Sequence, residues 1–403
     1  MRTAAGRHTL EERIYLIFIS YYLGISMLMN TMLSTLLNEK LVYWSIHLGV
    51  ITVFLFRLLW FRSYSKREAA VILAGLGLAG LIFLQSGHGN VLDIYFLIVL
   101  GKGMPGYEVM KIYLVIKGAA LAVSFLSSRI GIIPDIVYEA YRWGRNAYAL
   151  GYPYYADLSA NILYFVFIYL AWREEKLKLA DGILSLCLAG AVFFLCTTRT
   201  DSILLAICGC AVLWYVKWGK AAIKYKASLK RGTGAAILSA ALGSVGATVW
   251  YRRFENILYP FNRILSGRLE RGREVLDQYS VSLWGREIPF QGYGGMTYEE
   301  TLSLWDGPKT GYLFADNSYL NIALQYGVIV LAGVFGVMLL LYFRSWDAGR
   351  TMLCCMIFLV MLDSVIVHHL MEPQYNLFLI LLWMKPFAAD TGQEALCEKT
   401  GTG

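Results

Sequence analysis

Apolar stretches of roughly 17 to 25 residues, the length that spans a bilayer core, recur along this chain and leave it little choice of fold. Backbone groups in hydrocarbon have no water to bond, so such stretches must satisfy themselves as helices. The expected class is an all-α polytopic membrane protein, with residues 1–403 forming a single integral membrane domain. Composition agrees, at 58% hydrophobic and only 16% charged. A soluble domain is excluded, and no nucleic-acid partner is expected. Six of the seven cysteines (Cys187, Cys196, Cys208, Cys210, Cys354, Cys355) lie in apolar runs and read as small hydrophobes.

Hydropathy predicts about twelve transmembrane helices, at 14–36, 41–60, 69–85, 89–104, 108–126, 156–172, 180–196, 202–216, 233–250, 319–343, 351–367 and 374–388. The fourth has an uninterrupted apolar core only from Ile94 to Gly101, so a tilted or interfacial helix is the alternative there. No short apolar run near the start ends in a cleavage site, so the first helix is expected to be a retained anchor. Basic residues in the short loops set the orientation. They gather at Arg2, Arg7 and Arg13, at Arg62, Lys66 and Arg67, at Arg173, Lys176 and Lys178, and most densely at Lys217, Lys220, Lys224, Lys226, Lys230 and Arg231. Twelve spans put all of these on one side with both termini, and the charge rule makes that side cytoplasmic.

Two external loops follow, 127–155 and 251–318, the larger one expected to contain short helices. Tyr251 to Asn317 holds Arg252, Arg253, Arg263, Arg268, Arg271, Arg273 and Arg286 beside the single Lys309. It exceeds the length of about 60 residues below which the charge rule applies. The smaller loop adds Arg129, Arg142 and Arg145, and Arg199 lies in the turn Thr197-Thr198-Arg199-Thr200-Asp201-Ser202. Arginine at an interface is ordinary, and it can simply hold lipid headgroups. The one-sided choice of guanidinium over ammonium nevertheless favours anion recognition, because its planar fork pairs with phosphate through two hydrogen bonds.

Phe261 to Tyr279 has helical spacing, with Gly267 and Gly272 weakening it, and Arg268 and Arg271 are neighbours at i, i+3. Gln291-Gly292-Tyr293-Gly294-Gly295 reads as tight turns, and Asp316 or Asn317 can cap the helix that follows. Tyr141-Arg142-Trp143-Gly144-Arg145 and Gly151-Tyr152-Pro153-Tyr154-Tyr155 interleave aromatics with arginine, a pattern that suits sugar rings beside phosphates and equally suits a membrane interface. Within the spans, Lys117 is expected to pair with Asp93 or Asp363, and Arg57 to snorkel. Gly75-Leu76-Gly77-Leu78-Ala79-Gly80 matches a dinucleotide fingerprint but lies in an apolar span with no strand before it, so it reads as close helix packing. The five histidines are scattered apart from His368 and His369, and no metal-ligand spacing stands out.

Taken in order, these motifs resemble the Wzy-type bacterial polysaccharide polymerases and their relatives, the O-antigen ligases. The Thr-Thr-Arg-Thr turn at Arg199 is similar to the family's Thr/Ser-Arg-Ser/Thr turn, and Arg145 before Gly151-Tyr152 to its arginine-then-Gly-aromatic element. Ser266-Gly267-Arg268, Trp284-Gly285 and Gly292-Tyr293-Gly294 resemble the start of its large external loop. Asp316-Asn317-Ser318-Tyr319, leading into Leu324-Gln325-Tyr326-Gly327, resembles the end. Many ligases carry His-Asn where this chain has Asp316-Asn317, and Pro153-Tyr154 replaces the frequent Pro-Asn.

The resemblance implies a GT-C-like, metal-independent glycosyltransferase of a bacterial plasma (inner) membrane, without cofactor. It would polymerise undecaprenyl-pyrophosphate-linked repeat units, donor and acceptor both lipid-linked, with a chain-length regulator and a flippase as partners and membrane lipids around it. On that reading Arg199, Arg268 and Arg263 or Arg271 hold pyrophosphate, Asp316 accepts the acceptor's proton, and Arg142 and Arg145 serve the second substrate. One alternative is a ligase that transfers the finished glycan. Another is a transporter or flippase of lipid-linked oligosaccharides, which should carry polar residues at the midplane and broken or repeated helices.

Overall fold

The computed structural model describes residues 9–61, 63–142, 144–218, 226–291 and 313–385. Helices dominate. They are α1 (Leu10–Met29), α2 (Glu39–Leu55), α3 (Lys66–Ser86), α4 (Asn90–Leu100), α5 (Gly106–Arg129), α6 (Tyr155–Arg173), α7 (Leu179–Leu195), α8 (Arg199–Trp218) and α9 (Lys226–Val249). Then come two short helices, α10 (Glu255–Ile264) and α11 (Arg268–Gln278), followed by α12 (Ser318–Gln325), α13 (Val328–Asp347) and α14 (Thr351–Asp363). Eight segments are long and apolar enough to cross a bilayer: Leu10–Met29, Glu39–Trp60, Lys66–Ser86, Gly106–Arg129, Tyr155–Lys176, Arg199–Trp218, Lys230–Val249 and Val328–Asp347. Asn90–Leu100, Leu179–Leu195 and Thr351–Asp363 are shorter apolar helices. At about 1.5 Å per residue, α4 spans only about half of a hydrocarbon core.

Local chemistry sets the helix boundaries. Ser65 and Glu68 form a reciprocal capping box at the start of α3, which stops at Gly87 in the left-handed region (φ 74°). Thr9 and Glu12 make the same box on α1. The hairpin of α7 and α8 is held by two glycines: a Cβ on Gly182 would lie 2.9 Å from the Leu213 side chain, and one on Gly209 2.9 Å from the Gly182 carbonyl. Small residues at a crossing let two apolar helices approach until their backbones touch.

Three expectations need correction. The predicted span 374–388 is not a helix where it is described. Ser364 to Lys385 carries only the short 3₁₀ turns His369–Met371 and Leu377–Ile380, and Leu377–Leu382 are almost wholly buried. Irregular backbone is tolerated at membrane depth when protein surrounds it. Here Gly103 N donates to the Trp383 carbonyl, Lys385 N to that of Met104, and Tyr113 Oη to those of Gln374 and Tyr375.

Lys117 pairs with neither Asp93 nor Asp363. Its ammonium donates to Asn161 Oδ1 and to the Gln374 carbonyl, and lies 4.8 Å from the Tyr375 ring centre. Asp93 faces His47 at 3.4 Å, and Asp363 accepts from the Tyr164 hydroxyl at 3.0 Å. Arg57 does not snorkel. A π turn over Phe56–Trp60 leaves it 3% exposed, on Glu11 at 2.7 Å and the Lys102 carbonyl at 2.8 Å.

The bundle has two chemically distinct ends. One carries the ion pairs Lys102–Glu68, Lys230–Asp347, Arg350–Glu174 and Lys385–Glu12. The other carries α10, α11 and a small antiparallel hairpin, β1 (Val137–Arg142) with β2 (Arg145–Tyr148), an exception to the all-helical expectation. Gly75 is a packing glycine as expected, since a Cβ there would lie 2.5 Å from the Tyr95 hydroxyl.

Candidate functional site

The helix expected across Phe261–Tyr279 is broken in two. Ser266 and Gly267 both adopt positive φ (57° and 85°), which turns the chain between α10 and α11 and puts Arg268 at the first position of α11. Glycine tolerates that conformation at no steric cost. Asn262 rivets the turn: its Oδ1 accepts from the Leu269 and Glu270 amides, and its Nδ2 donates to Tyr251 Oη and Glu270 Oε2. Gly272 serves packing, because a Cβ there would sit 2.8 Å from Thr248 on α9.

At the start of α12, the capping role falls to Asn317. Its Oδ1 accepts from the Tyr319 and Leu320 amides, and its Nδ2 donates to Ser244 Oγ at 2.9 Å. Asp316 is thereby released from capping and meets Arg268, with Oδ2 3.6 Å from Nε. Arg268 also donates to the Leu265 carbonyl, and its Nε is buried without a hydrogen-bond partner among the described residues. Arg199, at the tip of the α7–α8 hairpin, reaches Ser266 Oγ at 3.5 Å. Arg199, Ser266, Arg268 and Asp316 thus form one row.

Of the other predicted site residues, Arg263 and Arg145 show no contact with that row among the described residues. Arg263 is exposed on α10, and Arg271 is exposed with its Nε 4.0 Å from where a Gly267 Cβ would be. Arg145 sits at the hairpin tip with its guanidinium 5.0 Å from the Phe194 ring centre. Arg142 is its register partner, and its side chain lies outside the described part, as do Trp143, Gly292 to Gly295 and Lys309. Arg252 and Arg273 both bind Asp277, and Arg273 also donates to the Val249 carbonyl, so these two clamp α11 onto the end of α9.

Beside the row opens a cavity of about 820 Å³ that sequence reasoning did not foresee. Among the described residues no arginine lines it. Its walls carry the carboxylates Glu39, Asp157 and Glu372, the imidazoles His88, His368 and His369, and one ammonium, Lys40. Tyr43, Trp44, Tyr326 and Tyr375 supply rings, and Asn30, Asn90, Asn321, Gln325 and Gln374 supply amides. The cavity and the arginine row share a partition: Phe314, two residues before Asp316, lies edge-on to His368 at 4.8 Å.

The residues from Ser364 to Tyr375 build the cavity's most charged wall. Ser318 ties them down, its amide donating to the Ser364 and Val367 carbonyls and its hydroxyl to Val367 as well. His369 Nδ1 lies 3.2 Å from Glu372 Oε2, and its ring stacks on Tyr375 at 3.8 Å and 16°. His368 Nε2 lies 3.6 Å from Glu372 Oε1. Burial, reinforced by the His369 charge, pushes the His368 imidazole down to about 4. Burial also works against the charge on His369, yet Glu372 outweighs it and leaves His369 raised. Glu372 is lowered in turn, because attraction to His369 overcomes the burial that would raise it.

His368, His369 and Glu372 place one ligand atom each within 4.8 Å of the others, a spacing that the sequence did not reveal. The imidazoles already satisfy the carboxylate, so the group reads as a proton-handling cluster. The signal was a His-His-x-x-Glu run in a predicted loop, which carries no metal spacing on its own. Compared with protein-family models, with characterised proteins and with solved structures, the chain matches none.

Proposed function

We propose that the chain is a glycosyltransferase that joins undecaprenyl-pyrophosphate-linked oligosaccharide repeat units into a polysaccharide at the external face of a bacterial plasma membrane, as Wzy-type polymerases do. One observation carries this reading. Arg268, whose buried Nε has no hydrogen-bond partner among the described residues and faces Asp316 at 3.6 Å, stands with Arg199 and Ser266 beside a chamber of rings, amides and carboxylates. Phosphate suits the first, since charge-assisted bonds from a fixed arginine are strong and directional. A sugar suits the second, with apolar faces for the rings and hydroxyls for the amides and carboxylates.

In the proposed transfer an acceptor hydroxyl attacks the anomeric carbon while lipid pyrophosphate departs. The leaving group needs charge stabilisation, which Arg268 and Arg199 supply without reorganising. Asp316 faces the same Nε edge at 3.6 Å and holds the Arg268 guanidinium in place. On this reading the eight long apolar segments, the three shorter apolar helices and the buried stretch 374–385 make up a twelve-pass, GT-C-like topology with both termini cytoplasmic.

Transport of a lipid-linked glycan is the second reading, and one feature favours it: an irregular buried run crosses the core beside Lys117 and Asp363. Against it, Lys117 is spent on internal partners, and the open polar space lies at the arginine-rich end.

The test is deletion of the gene in its host, followed by sizing of lipid-pyrophosphate-linked glycans. Single repeat units accumulating with loss of long chains is the expected outcome. Long lipid-linked chains that never reach a final acceptor indicate a ligase, and an unchanged distribution removes both.

A further inference from the structure

We infer that His369 is the general base of the transfer, that Glu372 positions it, and that the 820 Å³ cavity receives the acceptor sugar. This rests on the glycosyltransferase reading. Asp316 was the sequence's choice of base, but it faces Arg268 and does not line the cavity. His369 does line it. With Nδ1 spent on Glu372, Nε2 is the nitrogen left for a ligand, the same division of labour that a carboxylate imposes on a catalytic histidine in a triad. The ring cannot swing: Tyr375 stacks on one face, and Tyr164 stands edge-on at 6.2 Å and 88°. A fixed imidazole held by a carboxylate, with its other nitrogen facing a cavity, is the arrangement that general-base catalysis needs.

Three observations say what enters. Among the described residues the walls offer carboxylates, amides and a single ammonium, partners that suit a ligand rich in hydroxyls. Tyr43, Trp44, Tyr326 and Tyr375 give flat apolar faces. The volume lies within the usual range for small-ligand pockets, about 300–1,000 Å³. The acceptor portion is therefore a sugar, its hydroxyls on the amides and carboxylates and its ring on the aromatic faces. The step balances: the acceptor oxygen forms the new bond to the anomeric carbon, the bond from that carbon to pyrophosphate oxygen breaks, and pyrophosphate keeps the electron pair. The hydroxyl proton passes to His369 Nε2 and from there to water.

His369 is faced by Glu372 and His368 from its own segment, by Asp157 from α6, Asp201 from α8 and Asp363 from α14, while Lys117 from α5 faces Glu372. The carboxylate–imidazole bond is the contact that a substitution can remove without emptying the cavity.

The test uses full-length protein in membranes of the deletion strain, supplied with the lipid-linked repeat units that the strain accumulates. Wild-type protein must first lengthen those units; if it does not, the polymerase reading fails and this proposal with it. Extension rates are then measured from pH 5.5 to 8.5 for wild type, His369→Gln, Glu372→Gln and Glu372→Asp. His369→Gln is expected to lose a factor of about 10² or more. Glu372→Gln is expected to lose less and to move the acid limb of the pH profile to lower pH, because the partner that raises His369 is gone. Glu372→Asp should restore most of the limb. Extension by His369→Gln within threefold of wild type overturns the assignment, and so does an unmoved acid limb in Glu372→Gln. Should His369→Gln fail to accumulate in membranes, the limb of Glu372→Gln decides alone. Loss of wild-type activity in a chelator, restored by Zn²⁺ or Mn²⁺, would make the cluster a metal site and overturn the proton role.

Discussion

At the scale of single residues, the chemistry of the site was half legible. Arg199, Arg268 and Asp316 stood out because polar groups in an apolar chain are few and their turns are short. Asp157 and Glu372 did not, because one carboxylate at a span boundary looks the same whether it caps a helix or lines a chamber. Arg268→Lys should cut glycan extension by at least tenfold while leaving the protein folded, since an ammonium replaces a planar fork with a point charge; the fall in rate at unchanged membrane level checks it. Asn317→Ala removes two amide bonds at the start of α12 and should cost about 1 kcal/mol, read as a lower thermal midpoint in detergent.

Protonation carries its own signature at this scale. His368 is held near 4, below its ordinary 6.5, so the unfolded chain binds a proton that the folded one refuses, and stability falls as pH drops from about 6.5 toward 4. His369 has the opposite sign: its stabilisation is full below 6.5 and is lost as pH rises through its raised value. Glu372 contributes above 4.5 and loses that contribution as pH falls through its lowered value. His368→Gln should therefore flatten the acid-side loss of thermal midpoint between pH 6.5 and 4, measured in detergent across that range.

At the scale of elements, hydropathy located apolar runs well and conformations less well. It reports environment, so the stretch 374–385, mostly buried, read as part of a helical span at 374–388 although Gln374, Tyr375, Trp383 and Lys385 bond to neighbouring segments. Gly267 and Gly272 were read as weak points in one helix, whereas Gly267 is where the chain turns and Gly272 packs α11 against Thr248. Gly267→Ala forces a side chain into the left-handed region, a strain on the order of 1 kcal/mol, and swings Arg268 away from Asp316. Activity should fall well beyond what the lost stability explains, which parallel extension rates and thermal midpoints would reveal. Gly209→Leu should separate α7 from α8 and cost about 1–3 kcal/mol by overpacking.

At the scale of the whole molecule, the pairs Lys102–Glu68, Lys230–Asp347, Arg350–Glu174 and Lys385–Glu12 brace one end, while the row of Arg199 and Arg268 and the chamber occupy the other. The long apolar helices were legible because they are a property of composition over many residues. The chamber was not, because its walls come from α2, α6, α12 and the segment after α14, joined by no pattern that one stretch of sequence records. That last segment also has a consequence for biogenesis. It borrows its hydrogen bonds from Met104, Tyr113, Lys117 and Ser318, all synthesised earlier, so it has no stable form in lipid by itself. Ribosome and insertase must deliver it into a bundle already standing, and Lys117 waits without its Gln374 carbonyl until then. A chain stalled before Ser364 would be an embedded but inert shell, and a natural target for membrane proteases.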